Sequence, residues 1–79
     1  MELSFDPRYN VAYIRFQDRR TGVSTILISD DLNIDLMPDG TIYGIEFLNA
    51  NEQLKLNALK ILVVNRATGE RTEMSLPAA

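Results

Sequence analysis

Apolar and polar residues alternate with a period of two through the first two-thirds of the chain, the pattern of strands that bury one face. Leu3 and Phe5 share a parity, and Asp6-Pro7-Arg8-Tyr9-Asn10 supplies a turn. From Val11 to Gln17, Val11, Tyr13 and Arg15 fall on one face and Ala12, Ile14 and Phe16 on the other. Asp18-Arg19-Arg20-Thr21-Gly22 is the next turn, and the β-branched run Val23 to Ser29 is broken by Asp30-Asp31. Leu32 to Met37 alternates again before Pro38-Asp39-Gly40 turns the chain into Thr41 to Leu48.

The Pro-Asp-Gly turn sets a register. A loop at Asp39-Gly40, or one from Pro38 to Thr41, pairs Leu36 with Tyr43, Ile34 with Ile45 and Leu32 with Phe47, all on one face. A three-residue loop sets Ile34 against Gly44 and Leu32 against Glu46 and loses that face, so burial favours the first register.

Beyond Leu48 the pattern changes. Asn49 followed by Glu52 has the spacing of a capping pair for a short helix. Leu54, Ala58, Ile61 and Leu62 also permit a longer helix. The rival reading ends the helix near Asn57 and makes Leu59 to Asn65 a strand. The Ile61-Leu62-Val63-Val64 run, the turn-like Asn65 to Glu70 with Gly69, and the alternation in Arg71 to Leu76 favour the strand. Pro77-Ala78-Ala79 is expected to fray.

The expected fold is therefore α+β and mainly β: an antiparallel sheet of about seven short strands, as hairpins or a meander, with one short helix after Leu48. The 79 residues form a single domain, with a β core and helix in 1–54 and a C-terminal strand or hairpin extension in 55–79.

Composition narrows the chemistry. With no histidine and no cysteine, there is no imidazole base, thiol nucleophile, disulfide or zinc knuckle. A net charge of −3 argues against an electrostatic nucleic-acid binder. Arg15, Arg19 and Arg20 are the one basic cluster, and three arginines beside Asp18 read as a solvated turn with local ion pairs. Met1 to Asp6 carries acids and lacks an apolar leader, and no run nears the roughly 20 apolar residues of a membrane span. A soluble cytoplasmic protein, off the membrane and without a cofactor, is the expectation.

The sharpest local pattern runs from Asp35 to Glu46. Asp35, Asp39, Gly40, Ile42 and Glu46 fall at positions of a calcium-binding EF-hand loop, but Met37 stands where an oxygen ligand belongs and both flanks read as strands. A carboxylate site drawing on Asp35, Asp39 and Glu46, with Asp30, Asp31 and Asn33 nearby, could serve general acid–base or ligand chemistry. Acids on the open face of a sheet more often serve solubility and deter edge pairing.

Apolar residues on both strand faces carry more weight. Tyr43, Ile45 and Phe47 lie on one side while Ile42 and Leu48 point to the other, with Met37 opposite Ile42. Leu62 and Val64 likewise oppose Leu59, Ile61 and Val63. Either the sheet folds over itself into a small sandwich or partial barrel, or a two-fold homodimer buries a second apolar face. The dimer is the reading taken, with Met37, Ile42, Leu48, Leu62 and Val64 at the interface, because a chain this short without disulfide or metal is marginal alone.

Phe5-Asp6-Pro7 with Val11-Ala12-Tyr13-Ile14-Arg15-Phe16, then Ile34-Asp35-Leu36, Asp39-Gly40 and Gly44-Ile45-Glu46-Phe47-Leu48-Asn49-Ala50, resembles a bacterial family known only as domain of unknown function 2283. The likeness covers residues 2 to about 54, and the Gly-Ile-Glu segment is its most specific piece. Asn10 stands where that family usually has aspartate, and Phe5 replaces a tyrosine. The resemblance implies a small, mostly β domain without assigned activity or catalytic residues. It also implies an antitoxin-like or accessory role beside a small protein encoded nearby. The functional expectation is a non-enzymatic, homodimeric interaction module; the alternative is a small ligand- or metal-binding protein or enzyme using the Asp35/Glu46 face.

Overall fold

In the computed structural model, which describes residues 1–19 and 21–75, the chain forms seven strands. Five of them, β1 (Glu2–Asp6), β2 (Val11–Arg15), β3 (Ser24–Ser29), β4 (Leu32–Leu36) and β5 (Ile42–Phe47), build one antiparallel sheet in the order β1-β2-β5-β4-β3. A short helix, α1 (Ala50–Leu54), and one 3-10 turn (Leu56–Ala58) lead to a separate antiparallel hairpin of β6 (Lys60–Val64) and β7 (Arg71–Ser75). The mainly β class and the helix after Leu48 are as expected, but the strands divide between two sheets. Arg20 and the tail Pro77–Ala79 lie outside the described residues, as does the last residue of the expected strand to Leu76.

The register sorts the large sheet into two unlike faces. One carries an aliphatic row crossing all five strands: Leu3 pairs with Ile14, Ile14 with Ile45, Ile45 with Ile34, and Ile34 with Ile26. The other carries a polar row in which Glu2 pairs with Arg15, Arg15 with Gly44, Gly44 with Asp35, and Asp35 with Thr25. The expectation that the sheet is apolar on both faces is corrected here. Tyr13 lies on this polar face, opposite Glu46, and uses its hydroxyl there.

The β4–β5 hairpin corrects the loop while keeping the register. Met37 N–H bonds to Thr41 O at 2.8 Å and Gly40 N–H to Met37 O at 2.9 Å, so the loop has three residues, with Gly40 at φ 89°. Leu36 accordingly pairs with Ile42 rather than Tyr43. A bulge between Asp35 and Leu36 then absorbs Tyr43 as an extra residue, which restores Ile34 to Ile45 and Leu32 to Phe47. Because direct partners share a face, the bulge also moves Ile42 onto the side of Leu36, where strict alternation had placed it on the opposite one.

Helix α1 is capped from a distance. Asn49 has left-handed φ and ψ of 50° and 46° and makes no side-chain cap. Its amide donates instead to Asp31 Oδ1 at 3.0 Å. The cap is Asn10, in the β1–β2 turn at φ 56°. Its Oδ1 accepts from Asn51 N–H at 2.9 Å, its Nδ2 donates to Glu52 Oε2 at 2.9 Å, and its backbone oxygen accepts from Ala50 N–H at 2.9 Å. Left-handed Lys55 ends the helix, so the strand reading of residues 60 to 64 holds over the longer helix.

The core is thin. Only Ala12, Tyr43 and Ala50 are buried among the described apolar residues, and no described large side chain is fully buried. The radius of gyration is 14.3 Å, against roughly 12 Å for a compact chain of this length.

Candidate functional site

The polar face owes its geometry to one glycine. Gly44 lies on β5 between Arg15 and Asp35, and the ring of Tyr13 lies over it. A Cβ at Gly44 would sit 2.5 Å from Tyr13 Cζ and 2.6 Å from Cε1, far inside van der Waals contact. The missing side chain lets Tyr13 reach across β5 and donate its hydroxyl to Asp35 Oδ2 at 2.6 Å. Thr25 donates to Asp35 Oδ1 at 2.6 Å from the other side. Both carboxylate oxygens are therefore held by hydroxyls, and Asp35 is only 8% exposed. One row away, Asn33 Nδ2 donates to Glu46 Oε1 at 2.9 Å.

Tyr13, Thr25, Asn33, Asp35 and Glu46 line an open concavity of about 440 Å³. Its walls offer carboxylate, amide and hydroxyl groups, a lining suited to hydrogen bonding with a small polar or cationic group. Two of the three acids expected together, Asp35 and Glu46, meet here. Asp39 does not: its carboxylate closes the hairpin loop, accepting from Thr41 N–H at 2.9 Å and Thr41 Oγ1 at 2.7 Å. Those bonds, the hydroxyl's first, hold Asp39 below the usual carboxylate range. Asp31 is likewise engaged elsewhere, with Asn49. The Asp35–Glu46 segment is flanked by strands, and among the described residues no three acidic side chains are placed to share a metal ion.

Thr25 and Tyr13 were missed as members of this site. Their signal was Gly44, since a glycine inside a strand often marks the close approach of another group. Of the basic cluster, Arg15 is ion-paired, reaching Glu2 Oε2 at 3.6 Å and Asp18 Oδ1 at 3.5 Å. In the β1–β2 turn, Arg8 pairs with Asp6 at 2.9 Å and thereby holds the Asp6 carboxyl below its ordinary value.

The second candidate is apolar surface. Edge strand β3 is exposed along its whole length, Leu27 to 75%, and carries neither charge nor proline. Hairpin β6–β7 is exposed on both faces, Val63 to 56%. Of the residues expected at an interface, Ile42, Leu62 and Val64 are exposed, while Met37 and Leu48 are half-buried. Leu62 and Val64 pair with Glu73 and Arg71, sharing the more charged face of the hairpin with a Lys60–Glu73 ion pair at 3.8 Å. The opposite face presents Ile61, Val63 and Met74 around Thr72. Among the described residues, no helix is long and apolar enough to cross a membrane.

Residues 2–51 match a family model described as a protein of unknown function (DUF2283). No curated protein and no solved structure matches the chain.

Proposed function

This chain belongs to the DUF2283 family of unknown function, and from that membership, which brings no assigned activity, we propose that it works as a non-enzymatic, homodimeric interaction module in the cytoplasm. The observation that carries the reading is the uncovered apolar surface. A sheet with one aliphatic face and no fully buried large side chain leaves much of its hydrophobic stabilisation unrealised, and association supplies what the single chain lacks. The pair then presents its polar faces outward, where a partner encoded nearby, in an antitoxin-like or accessory arrangement, would be recognised. Ile42→Asp tests the dimer: Ile42 is 41% exposed, so the monomer fold tolerates the charge while an apolar interface does not. The expected result is a raised monomer fraction in analytical ultracentrifugation, and an unchanged mass counts against the proposal.

One observation favours a second role at the polar concavity: a carboxylate as enclosed as Asp35, placed beside Glu46, is more than solubility requires. On that reading Glu46→Gln weakens binding of a small cation such as guanidinium while leaving the mass in solution unchanged. Equal chemical-shift changes on guanidinium titration of both proteins would remove it.

A further inference from the structure

Two apolar surfaces of this chain stop short of full cover, the aliphatic face of the sheet and one face of the hairpin. The sheet offers its five-strand aliphatic row, and the hairpin β6–β7 offers Ile61, Val63 and Met74 on one face. The hairpin does not return to its own sheet, for all of its described residues are exposed. A two-stranded hairpin is marginal by itself in water, so β6–β7 needs a support that its own chain does not provide. Residues 1–54 carry nine acidic against four basic side chains, whereas the hairpin, residues 60–75, carries three basic against two acidic. Sheet against sheet is therefore a like-charged approach, while the net charges of arm and sheet attract at long range.

We infer that β6–β7 is an exchanged arm: in a two-fold pair, the Ile61/Val63/Met74 face of each hairpin seats on the aliphatic row of the other chain's sheet. This rests on the homodimer proposed above and specifies how the pair closes. The charged face of the arm, with Lys60 and Glu73, stays in water. Each chain is then incomplete without its partner's arm.

The chain has no cysteine, so introduced thiols report cleanly. Full-length Val63→Cys and Ile34→Cys are refolded together and treated with a short bismaleimide, whose reach suits the roughly 10 Å spacing of stacked sheets. Exchange predicts a cross-linked species of twice the chain mass from the mixture. In the doubly substituted chain it predicts links between chains rather than within one. If either variant fails to fold, Met74→Cys with Ile45→Cys tests the same contact. A link within a single chain at monomer mass shows the arm folding back and overturns the inference. So does a dimer that links only through Val63→Cys alone or through Leu27→Cys alone, as arm–arm or β3 edge pairing would; the homodimer itself would survive that result. A monomer mass before cross-linking removes both.

Discussion

At the scale of single residues, Gly44 and Asn10 do more than their neighbours. The ring of Tyr13 occupies the space a Gly44 side chain would need, so Gly44→Ala forces the ring aside and costs about 1–3 kcal/mol, as overpacking does. Urea unfolding measures that loss, and Tyr13→Ala in the Gly44→Ala background should recover part of it. Asn10 uses both ends of its amide, one on the α1 backbone and one on Glu52. Asn10→Ala should cost about 1 kcal/mol, the usual value of a lost cap. Asn10→Asp keeps the acceptor for Asn51 but sets a carboxylate against Glu52, so Glu52→Gln should rescue it in a double-mutant cycle. Asp39 adds a pH dependence. Its pKa is depressed in the folded hairpin, so its contribution is present above the unfolded value and is lost as pH falls through the folded one. The advantage of the wild-type thermal midpoint over Asp39→Asn should be level above the ordinary carboxylate range and shrink as the pH falls below it.

At the scale of elements, alternation places β1, β2, β4, β5 and β7, while β3 and β6 stand out as β-branched and apolar runs. It could not reveal the bulge at Tyr43, since an extra residue preserves the composition of the hairpin while shifting every position between it and the loop. A three-residue loop conflicts with burial only where the register is unbroken, and the bulge breaks it. The capping box failed for a related reason: the spacing of Asn49 and Glu52 is local, but the group that caps α1 comes from Asn10 in a distant turn. Of the candidate site, Asp35 and Glu46 were legible as acids at matching parity. The hydroxyls that hold Asp35 were not, because they arrive from β2 and β3 and depend on a cross-strand order that local pattern does not encode.

At the scale of the whole molecule, the central feature is what remains in water. Ile61, Leu62, Val63 and Val64 form the most apolar run in the chain, and all four are exposed. A sequence that concentrates β-branched and aliphatic residues on one strand usually covers that strand. The same holds for the aliphatic row of the large sheet, whose members stop short of full burial. These surfaces explain why apolar residues outnumbered the cover available in a short chain, although the polar face of the sheet is not among them. The most direct test is the mass of the unmodified full chain by sedimentation equilibrium across the micromolar range. A homodimer sediments as a species of twice the 8.9 kDa chain mass that dissociates only on dilution. A stable, folded species at 8.9 kDa throughout would contradict it.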